Sequence, residues 1–201
     1  VILDFSRTGQ LAARTLLPAL LSGLLLIAST ESHAARIEGV EFSDRVTVAD
    51  TELQLAGLAH LYYKIIFTGA VVGLYLQDPA QRDELLDGVP KRLEFVYFGS
   101  LDAGDFADAA NESLSENLDP ETLAKYRDQI DAFNDLYVDI EKNDRYAISH
   151  IPGRGLQLEH NGQVLGLVEG GEFANAYFRI WFGDKPFNRR LKTSLLSGDL
   201  P

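Results

Sequence analysis

The stretch "GLQLEHNGQVLGLVEG", Gly155–Gly170, decides the fold. Two alternating arms flank Asn161-Gly162, and that pair readily takes the positive φ of a type I′ turn, so the segment predicts a tight antiparallel hairpin. Further strands are predicted upstream. Arg36–Phe42 and Glu52–Leu58 alternate on either side of an Ala49-Asp50 turn, and Arg145–Ile151 leads into the hairpin. "KRLEFVYFG" places Leu93, Phe95 and Tyr97 on one face and Arg92 and Glu94 on the other. "KIIFTGAVVGLYL", Lys64–Leu76, is nearly free of charge and rich in Ile and Val, which suits a strand covered on both faces. Its Gly69 and Gly73 either leave room for something close to the backbone or simply relieve packing.

Helical signals interrupt and follow these strands. Asp78-Pro79 begins a short helix running to Leu86, with Asp78 as its cap. Ala103–Leu118 carries Phe106, Ala110, Leu114 and Asn117 on one stripe. Asp119-Pro120 ends it and caps a helix in which Leu123, Tyr126, Ile130, Phe133, Tyr137 and Ile140 recur at three- and four-residue steps, a core stripe. "GEFANAYFRIWFGDKPFNRRLKTSLLSG", residues 171–198, predicts a very apolar helix over Glu172–Phe182, closed by Gly183, and an amphipathic one from Asn188 to Gly198. Strands, helices, strands, helices make the class α+β, an antiparallel sheet with helices gathered on one face.

The chain has 201 residues, and the first 34 read as a leader: Arg7 and Arg14, an apolar run over Leu16–Ala28, then Ser32-His33-Ala34. That is the layout of a secretory signal peptide with cleavage expected after Ala34, leaving one domain over 35–201. The apolar run is short for a membrane span, so a retained anchor is the lesser alternative and no stable membrane insertion is expected after cleavage. With Val first and no Met, the true start is expected at a non-standard codon or upstream. The leader's charges cancel, so the whole net charge of −12 belongs to the domain. Such an acidic surface argues against nucleic acid and anionic headgroups as partners. Zero cysteines in an exported chain exclude disulfides and thiol chemistry. The expected compartment is the periplasm.

Catalytic constellations are sparse. The domain's histidines, His60, His150 and His160, lack metal-ligand spacing, and most carboxylates fall on helix surfaces that solvent would cover. "GGEF" precedes a helix without a Walker or dinucleotide pattern. No cofactor or metal is expected. One cluster can hold a ligand: "AHLYYKIIF" gathers His60, Tyr62, Tyr63 and Lys64 where the apolar strand begins. These groups either fix a carboxylate at a cavity mouth or snorkel at a strand end.

"YYKIIFTGAVVGLYL", "KRLEFVYF", the Asn-Gly hairpin and above all "FANAYFRIWFGDKPFNRRLKTSLLSG" resemble the bacterial chalcone isomerase-like proteins across nearly the whole domain. The resemblance implies an open-faced β-sandwich, a large antiparallel sheet covered by a layer of helices, with a mainly apolar cleft between them. The superfamily includes plant isomerases that cyclise chalcones and non-catalytic relatives that bind fatty acids in the same cleft. Aligned to the plant enzymes, Ala70 takes the place of a strand threonine, Phe106 that of a tyrosine, Ser113 that of an asparagine, and Ala174 that of a serine or threonine. The arginine's place falls around Leu58–Tyr62, and no Arg occurs between Arg45 and Arg82. Cyclisation builds negative charge on a carbonyl oxygen and needs fixed donors there. Without them the cleft can hold a ligand and cannot polarise it, unless Lys64 supplies the cation.

Together with the leader, the resemblance implies a non-catalytic periplasmic binder of a lipophilic small molecule, a fatty acid foremost. Its cleft residues would be Tyr62, Tyr63, Lys64, Ala70, Phe106, Ser113, Ala174, Phe178 and Trp181. Three alternatives stay open. One is a protein-interaction module whose cleft is filled by its own side chains, favoured if Phe106 and Phe178 point into it. Another is a haem binder using His60 or a tyrosine, and the last is the isomerase itself.

Overall fold

The computed structural model describes residues 34–63 and 67–200. The leader read over residues 1–34, Ala34 excepted, lies outside them, as do Lys64 and the side chain of Tyr63. The chain opens with β1 (Ala34–Ile37) and β2 (Val40–Ser43), which pair as a two-stranded antiparallel sheet. A seven-stranded sheet follows, β3 (Arg45–Val48), β4 (Thr51–Tyr63), β5 (Phe67–Leu76), β6 (Lys91–Tyr97), β7 (Arg145–Ile151), β8 (Gly155–His160) and β9 (Gln163–Glu169). Its strands stand side by side in sequence order, antiparallel throughout. Between β6 and β7 lie α1 (Ala103–Asn117), α2 (Pro120–Lys125) and α3 (Arg127–Asn134); α4 (Gly171–Phe182) and α5 (Arg189–Ser197) follow β9.

The hairpin reading holds at atomic detail. Asn161 and Gly162 have φ of 50° and 80°, as a type I′ turn requires. The Asn161 side chain accepts from Arg145 N at 2.8 Å and donates to Asp144 Oδ1 at 2.9 Å. The sheet buries both faces. Ala70, Val72, Leu74, Leu93, Phe95 and Leu158 pack with the rings of α3 and α4, while Val71, Tyr75 and Val96 pack beneath the β1–β2 hairpin. Phe42 of β2 is what lies close to Gly73: a Cβ there would sit 2.8 Å from its ring.

Several boundaries differ from the sequence reading. Arg36–Phe42 is a hairpin instead of one strand, because Glu38 and Gly39 take φ of 50° and 78° and reverse the chain. β4 runs on to Tyr63, past Leu58. The Asp78 segment is a 3-10 helix, Pro79–Glu84, with Asp78 capping Ala80 N at 2.9 Å. The single long helix through Ile140 breaks at Tyr126 (φ −103°, ψ 9°) into α2 and α3, and ends at Asn134. Its stripe is core all the same, because Tyr137 and Ile140 stay buried on an extended tail. That tail is pinned by the Tyr146 hydroxyl, which accepts from Val138 N at 2.8 Å and donates to Val138 O at 2.6 Å.

Candidate functional site: an aromatic interior and a polar depression

The layer between sheet and helices contains most of the expected cleft residues, and side chains occupy it. Ala70, Ala174 and Phe178 are fully buried, and Trp181 nearly so. Phe106 is half-buried on α1 and stacks on Tyr137 at 5.2 Å, with its edge contacts to Tyr97 and Tyr146 at 5.6 and 5.1 Å. Tyr97 is the register partner of Ala70, which ties Ala70 to Phe106. On α4, Trp181 lies against Phe95, Tyr177 and Phe178, with centroids 5.7–6.1 Å apart. Such packed pairs favour a single arrangement beyond the area they bury. Ser113 is buried too, and its hydroxyl donates to Ile180 O at 3.5 Å. The four positions aligned with the plant catalytic groups thus present two methyls, a ring and an engaged hydroxyl.

The phenols of this layer are held neutral. Burial pushes Tyr97, Tyr137 and Tyr177 above the usual phenol range. Tyr137 and Tyr177 share a hydrogen bond at 3.0 Å. Tyr177 donates in turn to Asn134 Oδ1 at 3.4 Å, so both hydrogens are spent within the layer, and neither phenol offers a base at neutral pH.

A polar depression lies where β4 loses its neighbour. β3 pairs only with Thr51–Gln54, so β4 beyond that point borders α5. Gly57 permits this approach: a Cβ would fall 2.2 Å from Leu195 O. The depression, of about 180 Å³, is lined by His60, Tyr62, Arg190, Ser194 and Asp199 among others. The Arg190 guanidinium sits 4.2 Å from the Tyr62 ring centroid, a cation–π contact. His60 lies 5.6 Å from the same ring and meets Glu38 at 3.1 Å. Of the three headgroup residues expected from sequence, only the Tyr62 side chain lies within the described residues, and it lines this depression. The cation beside it comes from a helix more than a hundred residues downstream. The Arg189-Arg190 pair in "FNRRLKTSLLSG" was visible, but nothing local tied it to Tyr62.

A second polar cluster was missed altogether. Lys91, at the start of β6, is fully buried; its amine donates to Val89 O at 3.1 Å, to His150 Nδ1 at 3.0 Å and to Asn175 Oδ1 at 3.1 Å. Loss of water pulls its ammonium down to about 7, against an opposing pull from Asp87. Burial, and then the charge of Lys91, pull His150 down to about 4. Neither was legible, because alternation alone gave His150 no face and Lys91 stands at a strand end.

A family described as chalcone isomerase-like matches residues 34–197. The chain belongs to the chalcone isomerase-like family. By sequence, no curated protein matches it. Among solved structures, a fatty-acid binding protein of Arabidopsis thaliana superposes with a TM-score of 0.63 at 15% identity, covering 82% of this chain and 96% of that one. At that identity the likeness shows the family's α+β fold: an antiparallel sheet layered with helices.

Proposed function

We propose that this chalcone isomerase-like protein is a non-catalytic binder of a lipophilic carboxylate, a fatty acid, working in the periplasm after removal of its leader. The observation that carries the reading is the Arg190–Tyr62 pair: a surface cation stacked on a phenol ring beside an apolar layer. A carboxylate there gains charge-assisted hydrogen bonds. The depression has room for about six waters at ~30 Å³ each, enough for a headgroup. The tail must enter the interior. Leu61, Ala70 and Tyr97 are register partners across β4, β5 and β6, a row leading from beside Tyr62 to Phe106. Phe106, half-buried, is the ring that would swing aside. The fatty-acid binding named for the Arabidopsis neighbour supports the same use of the fold. The absence of donors at Ala70, Phe106 and Ala174 argues against cyclisation.

A second reading, an interaction module with a self-filled cleft, is favoured by the packing of Phe106 and Phe178. Native mass spectrometry followed by solvent extraction separates the two. The carrier reading expects a reproducible mass excess that extracts as fatty acid, falls with Arg190→Gln or Tyr62→Phe, and grows with Phe106→Ala. A clean mass that takes up no added fatty acid would sink it and leave the module.

A further inference from the structure

The outer side of α4 borders a groove of about 450 Å³, facing α2 and the turn after the 3-10 helix. Most of its polar groups are already engaged. Asp119 is fully engaged as the α2 cap, accepting from Glu121 N, Thr122 N and the Thr122 hydroxyl. Asn117 gives both amide hydrogens to Ser113 O and Lys185 O and accepts from Lys185 N. Glu172 holds Lys125 at 2.8 Å and the Tyr126 hydroxyl at 3.2 Å.

Two lining groups are left with hydrogens to give. Among the described residues the Arg179 guanidinium has no ion-pair or hydrogen-bond partner, and neither has the Asn175 amide nitrogen. They stand four residues apart on α4, which makes them neighbours on one helical face. The Asn175 orientation is dictated from behind. The Lys91 amine donates hydrogens and accepts nothing while charged, and bonds Asn175 at 3.1 Å, so Asn175 turns its oxygen inward and its NH2 toward the groove. Leu86, Leu118 and Ala176 supply apolar wall.

We infer that this groove is a second binding site, for a small carboxylate with a short apolar substituent, held by Arg179 and the outward NH2 of Asn175, with Lys91 as a positioning residue. A carboxylate offers acceptors to both donors; an ammonium would meet them with none and could pair only with Glu172, which Lys125 already holds. The site shares no residue with the Tyr62–Arg190 depression, so either can fail without the other.

The test is a titration of the protein with butyrate, followed by the paired side-chain amide signals of Asn175 in 1H–15N NMR, with butylamine as control. Butyrate is expected to move the Asn175 pair saturably and butylamine to leave it still. Arg179→Gln should weaken binding about tenfold or more, the scale of losing one charge-assisted partner. Arg179→Lys should retain part of it. Asn175→Asp keeps a partner for Lys91 and removes the outward donor, so binding should be lost while Trp181 emission stays native. Arg190→Gln should change nothing. Unmoved Asn175 signals, or wild-type affinity in both Arg179→Gln and Asn175→Asp, would overturn the assignment.

Discussion

Lys91→Met should remove a pH dependence that the wild-type protein carries through the neutral range. Lys91 is 0% exposed and titrates near 7 in the folded chain, against 10.5 when unfolded. Between those values the unfolded state binds the extra proton, so stability rises with pH, by up to about 1.4 kcal/mol per unit for one group. From pH 7.5 to 9.0 the gain is about 2 kcal/mol. With a urea slope of about 2 kcal/mol/M, the unfolding midpoint should move up by roughly 1 M. Trp181, the single tryptophan and a buried one, reports the transition by fluorescence. Met fills similar volume with no charge, so its midpoint should stay level across the window whatever its absolute stability. The window stops short of pH 10 because Tyr75, Tyr97, Tyr137 and Tyr177 have raised pKa values, a stabilisation that is lost as pH climbs through them. A flat wild-type profile, or equal slopes in both proteins, would refute the reasoning.

The acid side has its own group. His150 titrates near 4 folded and 6.5 unfolded, so its contribution is whole above 6.5 and shrinks by about 3 kcal/mol as pH falls to 4. His150→Gln should flatten that limb in the same urea experiment, leaving the carboxylates Asp144 and Asp119, whose pKa values are depressed, to act below it. Gly57→Ala forces a methyl to 2.2 Å from the Leu195 carbonyl oxygen. Because backbone stands on both sides, α5 must shift, and the expected loss is about 3 kcal/mol in urea unfolding, with weaker fatty-acid retention as Arg190 moves off Tyr62.

Wherever one face of an element settled its partner, the sequence could be read. The Asn161-Gly162 turn, the Leu93–Phe95–Tyr97 alternation and the α4 block were all recognisable from local periodicity and turn chemistry. Local patterns fell short where two distant segments share a job. The opposite face of β6 is the clearest case: Arg92 and Glu94 look like solvated residues of a half-buried strand. They are buried instead, Arg92 against Glu159 at 2.7 Å and Glu94 against Arg145. Their partners come from β7 and β8, and Arg145 also reaches Glu41 O on β2. The break at Tyr126 was hidden for a related reason, since the stripe Leu123–Tyr126–Ile130–Phe133 keeps helical spacing across it. Of the depression, Tyr62 was named from its own neighbourhood, while Arg190 became its partner only through the packing of α5 on β4.

The seven-stranded sheet also has one seam unlike the others. Strands β3 to β6 are joined by turns and short connections, and so are β7 to β9, so each block can form from partners close in the chain. Only the β6–β7 seam joins strands across a long excursion, residues 98–144, which holds all of α1, α2 and α3. Closing a loop of that length costs about 2 kcal/mol more than closing a tight turn. The return comes when Ile140 bridges Leu101 and draws the two ends of the excursion together. The helical layer is therefore both the roof of the interior and the buckle between two halves of a sheet whose other seams all join chain neighbours.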